Sequence, residues 1–165
     1  RGSYDLTTLR AAIIVGAGSI SFQMVQQLVT KLPVMVAPRW VYTDCQPIAI
    51  SDVVEYLVGV LEAPEAAGET YQIGGPDVLS YREMLTRTAA AMGKRRLVVP
   101  VPVLTPNLSA YWVDLVTDIP RSISHPLIEG LRNPVVVTDD SIEAVVPVDR
   151  TPFRTAVERA LEGEA

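Results

Sequence analysis

An α/β fold with a parallel sheet follows from three observations on this sequence. Leu9-Arg10-Ala11-Ala12-Ile13-Ile14-Val15 is an apolar run rich in β-branched residues that empties into Gly16-Ala17-Gly18-Ser19, with a helix-like stretch after it. Short strand-like pieces then alternate with amphipathic segments along the chain. Helix-start residues, Ser19, Ser51 or Asp52 and Ser80, stand just ahead of those segments. Strand, glycine turn and helix in that order are the grammar of a Rossmann-type sheet. With 165 residues, 48% of them hydrophobic, the chain holds enough apolar material for one core, so 1–165 reads as a single domain or part of one.

The first firm element is a strand from about Leu6 to Val15, of the kind buried on both faces. Ile20 to Leu32 reads as a helix with Phe22, Val25, Leu28, Val29 and Leu32 on one face, Ser19 as N-cap and Pro33 closing it. Val34 to Val36 and Arg39 to Thr43 read as short extended pieces bounded by proline, and Gln46 to Ile50 as a further strand. Ser51 or Asp52 caps a helix through Leu61 that turns Val53, Tyr56, Leu57 and Val60 inward. Glu69 to Ile73 is the next strand, followed by the turn Gly74-Gly75-Pro76-Asp77. Ser80 caps Tyr81 to Met92 with Glu83 completing a capping box, and Gly93 ends that helix. Arg95 to Val101 is a strand placed at a sheet edge by Pro100 and Pro102. Thr105-Pro106 opens a helix to about Thr117 with Leu108, Tyr111, Trp112 and Leu115 on one face. A helical piece from Ser122 to Leu131, a strand at Pro134 to Thr138, a helix from Asp139 or Asp140 and a last helix from Thr151-Pro152 complete the chain.

Composition removes several function classes. A net charge of −5 leaves no basic excess for nucleic acid or an anionic membrane surface. The apolar runs are too short to span a bilayer and no signal peptide opens the chain, which predicts a cytoplasmic protein. Cys45 and His125 are each the sole residue of their type, so neither a disulfide framework nor a Cys/His metal site is expected. Cys45 reads as a structural thiol, His125 as a surface or satisfied histidine, and Asp139 and Asp140 as capping acids.

Three segments in order, TTLRAAIIVGAGS (7–19), QPIAISDVVEYLVGVLE (46–62) and YQIGGPDVLSYREMLTRTAAAMG (71–93), resemble the C-terminal half of an atypical or extended short-chain dehydrogenase/reductase of the NAD(P)H-binding, epimerase-like branch. PVMVAPRWVYTDCQPIAI (33–50) resembles the subfamily with a proline-flanked Arg-Trp strand. The resemblance covers nearly the whole chain. It implies late parallel strands of a Rossmann-like fold plus a small substrate-side α/β subdomain, with NAD or NADP as cofactor and a small-molecule substrate: a sugar nucleotide, a small carbonyl compound or a quinone-like molecule.

It also places the family's cofactor loop well upstream of Gly16, so that Gly16 and Gly18 form a late turn. The residues agree, because Ser21 stands where a third glycine would let helix and strand approach, and no acid follows about 20 residues on. None of the six tyrosines has a lysine four residues later, so the family's acid/base pair, in which lysine lowers the phenol pKa, is absent. The chain is therefore expected to lack the N-terminal cofactor half and any catalytic residue, and to be inactive alone.

By resemblance Ala11, Ala12, Ile13 and Ile14 meet the nicotinamide end of the cofactor, although plain sheet core explains the same residues. Ser19 and Phe22 would face substrate, although a helix cap and a core aromatic explain both. Arg39, Trp40 and Gln46 unite a cation, an aromatic and an amide, a set suited to a polar substrate with a flat or apolar body. Arg10, inside the first strand, either pairs with a carboxylate or reaches the cleft edge. A strand stripped of its neighbour should pair with the missing N-terminal half or with a second copy. A different class stays open, a non-catalytic NAD(P)H-sensing regulatory or accessory scaffold protein, and so does a complete small binding module using Gly16 to Ser19.

Overall fold

The computed structural model describes residues 5–101, 118 and 120–163. In chain order these form β1 (Thr8–Ala11), β2 (Ile14–Val15), α1 (Ile20–Lys31), β3 (Val34–Ala37), β4 (Asp44–Cys45), β5 (Ile48–Ala49) and α2 (Ile50–Glu62). They continue as β6 (Thr70–Ile73), β7 (Leu79–Ser80), α3 (Tyr81–Ala91), β8 (Leu97–Pro100), α4 (Arg121–Gly130) and α5 (Phe153–Glu162). The helix expected from Thr105 to Thr117, with Tyr111 and Trp112, lies outside the described residues, as does the side chain of His125.

Three parallel pairings carry the α/β character: β1 with β6, β2 with β5 and β3 with β8. β4 runs antiparallel to β7. The strand expected as one piece from Leu6 to Val15 is instead two, because its partner changes. Arg10 and Ala11 stand opposite Gln72 and Ile73, whereas Ile14 and Val15 stand opposite Ile48 and Ala49. The second ladder opens where the Ile48 amide donates to the Ile13 carbonyl at 2.9 Å. Nor is the run buried on both faces: Val15 is buried, Thr8, Leu9 and Ala11 to Ile14 are half-buried, and Arg10 is exposed. Arg10 therefore keeps its guanidinium in water and needs no buried partner.

Arg39–Tyr42 is a 3-10 turn rather than an extended piece. Pro38 fixes its φ at −68° and starts the turn, which the Val41 amide closes on the Pro38 carbonyl at 3.1 Å. The turn buries Val41 completely and leaves Arg39 outside. Pro134 to Thr138 is no ladder strand either. Apart from a bridge between Cys45 and Val135, glutamine side chains take its amides: Val137 N donates to Gln46 Oε1 at 2.9 Å and Thr138 N to Gln72 Oε1 at 2.8 Å. The segment after Asp140 makes only a 3-10 turn, Ser141–Ala144.

Helix starts match the capping logic unevenly. Ser19 accepts from Phe22 N, and Ser80 with Glu83 forms the full capping box. Ala49, not Ser51 or Asp52, is the N-cap of α2, and Asp52 sits one turn in, almost fully buried. Leu57, expected inward, is exposed while Val53 and Tyr56 are buried. The apolar interior divides in two. One cluster joins α1, α3 and α5 through Phe22, Val29, Met84 and Val157, and the other joins β5, α2 and β6 through Ile48, Tyr56, Tyr71, Ile142 and Val148.

Candidate functional site

Ala11 and Ala12 stand at the carboxyl end of β1, and two cavities open on either side of them. Carboxyl ends of parallel strands are where open α/β sheets hold ligands, because helix N-termini and loops converge there. One cavity, about 230 Å³, is walled by Ala11 to Ile13, the Met24 and Leu28 face of α1, Trp40, the Tyr81 and Met84 face of α3, and Leu127 and Leu131. The other, about 330 Å³, is walled by Arg10 to Ala12, Gln46, Gln72, Ile73 and the 134–138 segment.

The break between β1 and β2 at Ala12-Ile13 interrupts the strand alternation and sets which way the central residues look. Ile13 packs against the first cluster, while Ala11 and Ile14 pack against the second. Small side chains at 11 and 12 keep the partition between the cavities thin. Trp40 is placed by the Pro38 turn and meets the edge of Tyr81, ring centroids 6.1 Å apart at 81°. Its indole Nε1 is buried and has no hydrogen-bond partner among the described residues. Gln46 is buried and spent: its Nε2 donates to Gly75 O at 2.7 Å and its Oε1 accepts from Val137 N. It shapes the polar cavity by pinning two loops together.

Of the residues expected at the site, the structure thus gathers Ala11, Ala12, Ile13 and Trp40 around the apolar cavity, and Ala11, Ala12 and Gln46 around the polar one. Ile14, Ser19, Phe22 and Arg39 wall neither. Phe22 is wholly buried in the first cluster, Ser19 caps α1, and Arg39 is exposed. Tyr81, Gln72 and the two methionines escaped the sequence reading. Each looks like an ordinary core or strand residue locally, and only contacts between distant segments bring it to a cavity wall.

Cys45 and Tyr81, beside the apolar cavity, are both shifted away from neutrality. Burial pushes the Cys45 thiol up to about 12, helped by the Asp44 carboxylate, so it stays a thiol. Burial, with Cys45 adding to it, also holds the Tyr81 hydroxyl well above the ordinary phenol range. Among the described residues no cluster of His, Cys, Asp or Glu could hold a metal ion, and no helix is long and apolar enough to cross a membrane.

The Gly16 to Ser19 turn is closed on itself. Ser19 N donates to Gly16 O at 3.1 Å, and Gln23 Nε2 donates to Ala17 O at 3.3 Å. A Cβ on Gly16 would come within 2.7 Å of Ile50 Cγ2, so this glycine serves the approach of α2 rather than a phosphate. Small residues at the end of β1 leave space beside the backbone for a flat ring, and the Gly16 to Ser19 turn offers no cradle for a phosphate.

No protein-family model matches the chain, and no curated protein matches it significantly. Solved structures do. UDP-N-acetylglucosamine 4-epimerase from Bacillus cereus superposes with TM-score 0.62 at 17% identity, covering 94% of this chain and 47% of that one. UDP-glucuronic acid 4-epimerase from Bacillus cereus in complex with NAD gives 0.62 at 12%, covering 94% and 43%. A human epimerase family protein with NADPH gives 0.62 at 17%, covering 93% and 47%. The chain has part of the Rossmann-like α/β fold of those structures. The chain spans about half the length of the structures it matches.

Proposed function

We propose that this chain is the substrate-side portion of an NAD(P)-dependent oxidoreductase or epimerase-like protein, inactive alone, whose dinucleotide is held mainly by an N-terminal half outside this sequence. The observation that carries the reading is the pair of cavities sharing the Ala11-Ala12 partition at the carboxyl end of a parallel strand. Two alanines let a flat ring lie against the backbone, as a nicotinamide would. When bound, the cofactor supplies or accepts hydride. Ala11 and Ala12 border its ring, Gln46 and Gln72 hold the loop beside it, and Trp40 and Tyr81 wall the chamber on the far side. The self-closed Gly16 turn supports locating the phosphates elsewhere. β1 pairs on one side with β6 among the described residues, and a strand from the absent half, or from a second copy, is proposed for its other edge.

Calorimetric titration of the chain with NADH and NADPH tests this. No saturable binding by folded chain is expected. Micromolar binding would instead place a dinucleotide loop within these residues and overturn the reading. Light scattering after size-exclusion chromatography tests the open edge: self-association is expected, and a monomer at high concentration counts against it.

A further inference from the structure

α2 carries more apolar surface than its own side of the fold covers. Val53 and Tyr56 turn one face onto the cluster with Ile48, Tyr71 and Ile73, and that face is buried. Val54, Leu57, Val58 and Leu61 form a second stripe at i, i+3, i+4 and i+7, and they are 51%, 48%, 50% and 85% exposed. The helix holds no lysine or arginine, and its exposed acids, Glu55 and Glu62, stand two turns apart on one flank of the stripe. A helix apolar on two sides is built to be covered on both, and here one side is covered.

Connection geometry says what belongs on the stripe. β1 and β6 are adjacent and parallel, and α2 lies in the connection between them. Connections of that kind are right-handed, so a helix feeding β1 from a strand on its other edge falls on the same face of the sheet as α2 and runs parallel to it. The entry to β1 already lies beside the turn that follows α2: Thr7 Oγ1 donates to the Ala66 carbonyl at 2.7 Å and Thr8 N to the Glu69 carbonyl at 2.9 Å. Leu61, the most exposed of the four, is at that end of the helix. A second copy fits worse, because two α2 helices paired about a two-fold axis would set Glu55 and Glu62 of one against the same acids of the other. We infer that the stripe of Val54, Leu57, Val58 and Leu61 is the seat of the helix that leads into β1, an amphipathic helix of the N-terminal half lying parallel to α2. The inference rests on the proposed placement of that half outside this sequence.

The test is labelling with N-ethylmaleimide, read peptide by peptide by mass spectrometry, on the 165-residue chain and on the full-length protein with its upstream residues restored. Leu57→Cys and Leu61→Cys are compared with Arg82→Cys, an exposed position on α3, and each variant is checked for folding by its thermal melt. Cys45 is buried and stays silent. All three positions should react freely in the 165-residue chain. In the full-length protein, positions 57 and 61 should react at least about tenfold more slowly, while position 82 keeps its rate. Equal labelling of 57 and 61 in the two proteins overturns the inference. Protection within the shorter chain that fades on dilution also overturns it, by giving the stripe to a second copy. Titration of the full-length protein with NADPH keeps the two readings apart. NADPH binding with the stripe still reactive leaves the proposed function standing and removes this interface, whereas a protected stripe without NADPH binding does the reverse. A reading frame with no upstream half removes both.

Discussion

The two apolar clusters of this protein treat their polar groups in opposite ways. In the cluster around α2, every buried carboxylate and hydroxyl named here is spent. Asp52 accepts from Thr151 N and Thr151 Oγ1, each at 2.7 Å, and Tyr56 Oη donates to Glu143 at 2.5 Å, with Arg150 beside that carboxylate at 3.6 Å. In the cluster between α1 and α3, the Trp40 N–H and the Thr88 hydroxyl are buried without partners among the described residues, and a chamber walled in part by Trp40 lies beside them. A region whose polar groups pair internally holds shape. A region that buries polar groups without partners gives up that internal fastening, and the difference separates the clamped half of this fold from the half beside the apolar cavity.

Alkali should blur the contrast most, because it acts on both sides. Cys45, Tyr56 and Tyr81 all have pKa values raised in the fold, so the neutral forms stabilise it. That stability is fully present below the unfolded pKa values, 9.0 for the thiol and 10.0 for the phenols, and is lost as pH rises through the folded ones. Urea midpoints should fall steadily above pH 9, and Cys45→Ala should delay the onset toward pH 10. A flat profile across that range sinks the argument.

Asp52→Ala strikes the clamp alone. It strips both Thr151 donors of their acceptor inside a buried site, and should lower stability by about 2–4 kcal/mol in chemical denaturation. A loss comparable to that of a surface carboxylate would show that the link between α2 and the segment before α5 is incidental. Gly59→Ala should cost about 1–3 kcal/mol, since the new methyl would meet Val146 Cγ1 at 2.2 Å where α2 packs against the 142–148 segment.

The smallest effect is the sharpest discriminator. Thr88→Val replaces an orphaned buried hydroxyl with a methyl and should leave stability unchanged or raise it by up to about 1 kcal/mol. The paired hydroxyl of Tyr56 provides the opposite case: Tyr56→Phe should lose about 1 kcal/mol. If both substitutions move the denaturation midpoint the same way, the two clusters do not differ as described.

Much of the fold was legible. The apolar face of α1, the Ser80–Glu83 capping box and the β3 and β6 strands follow from period and cap chemistry, which act over a few residues. The first strand misled because its composition is continuous while its pairing is not: nothing local in Ala12-Ile13 announces that the partner changes from Gln72–Ile73 to Ile48–Ala49. Asp52 looked like a cap because an acid beside a serine at a helix start usually is one. Its actual partner, Thr151, lies 99 residues away.

The site divides along the same line. Residue type marked Trp40 together with Arg39 and Gln46 as a binding set, and the family resemblance marked Ala11 to Ile14 inside a strand running to Val15. By itself the sequence determined the α/β class, the helix faces, and the absence of a lysine four residues after any tyrosine. The tertiary structure decided that Gln46 is a strut and Phe22 core, that Arg39 stays in solvent, and that Tyr81, Gln72 and two methionines complete the walls. The physical reason is reach. Propensity and capping are settled between neighbours, but a cavity is the space that several distant segments fail to fill, and only their packing defines it.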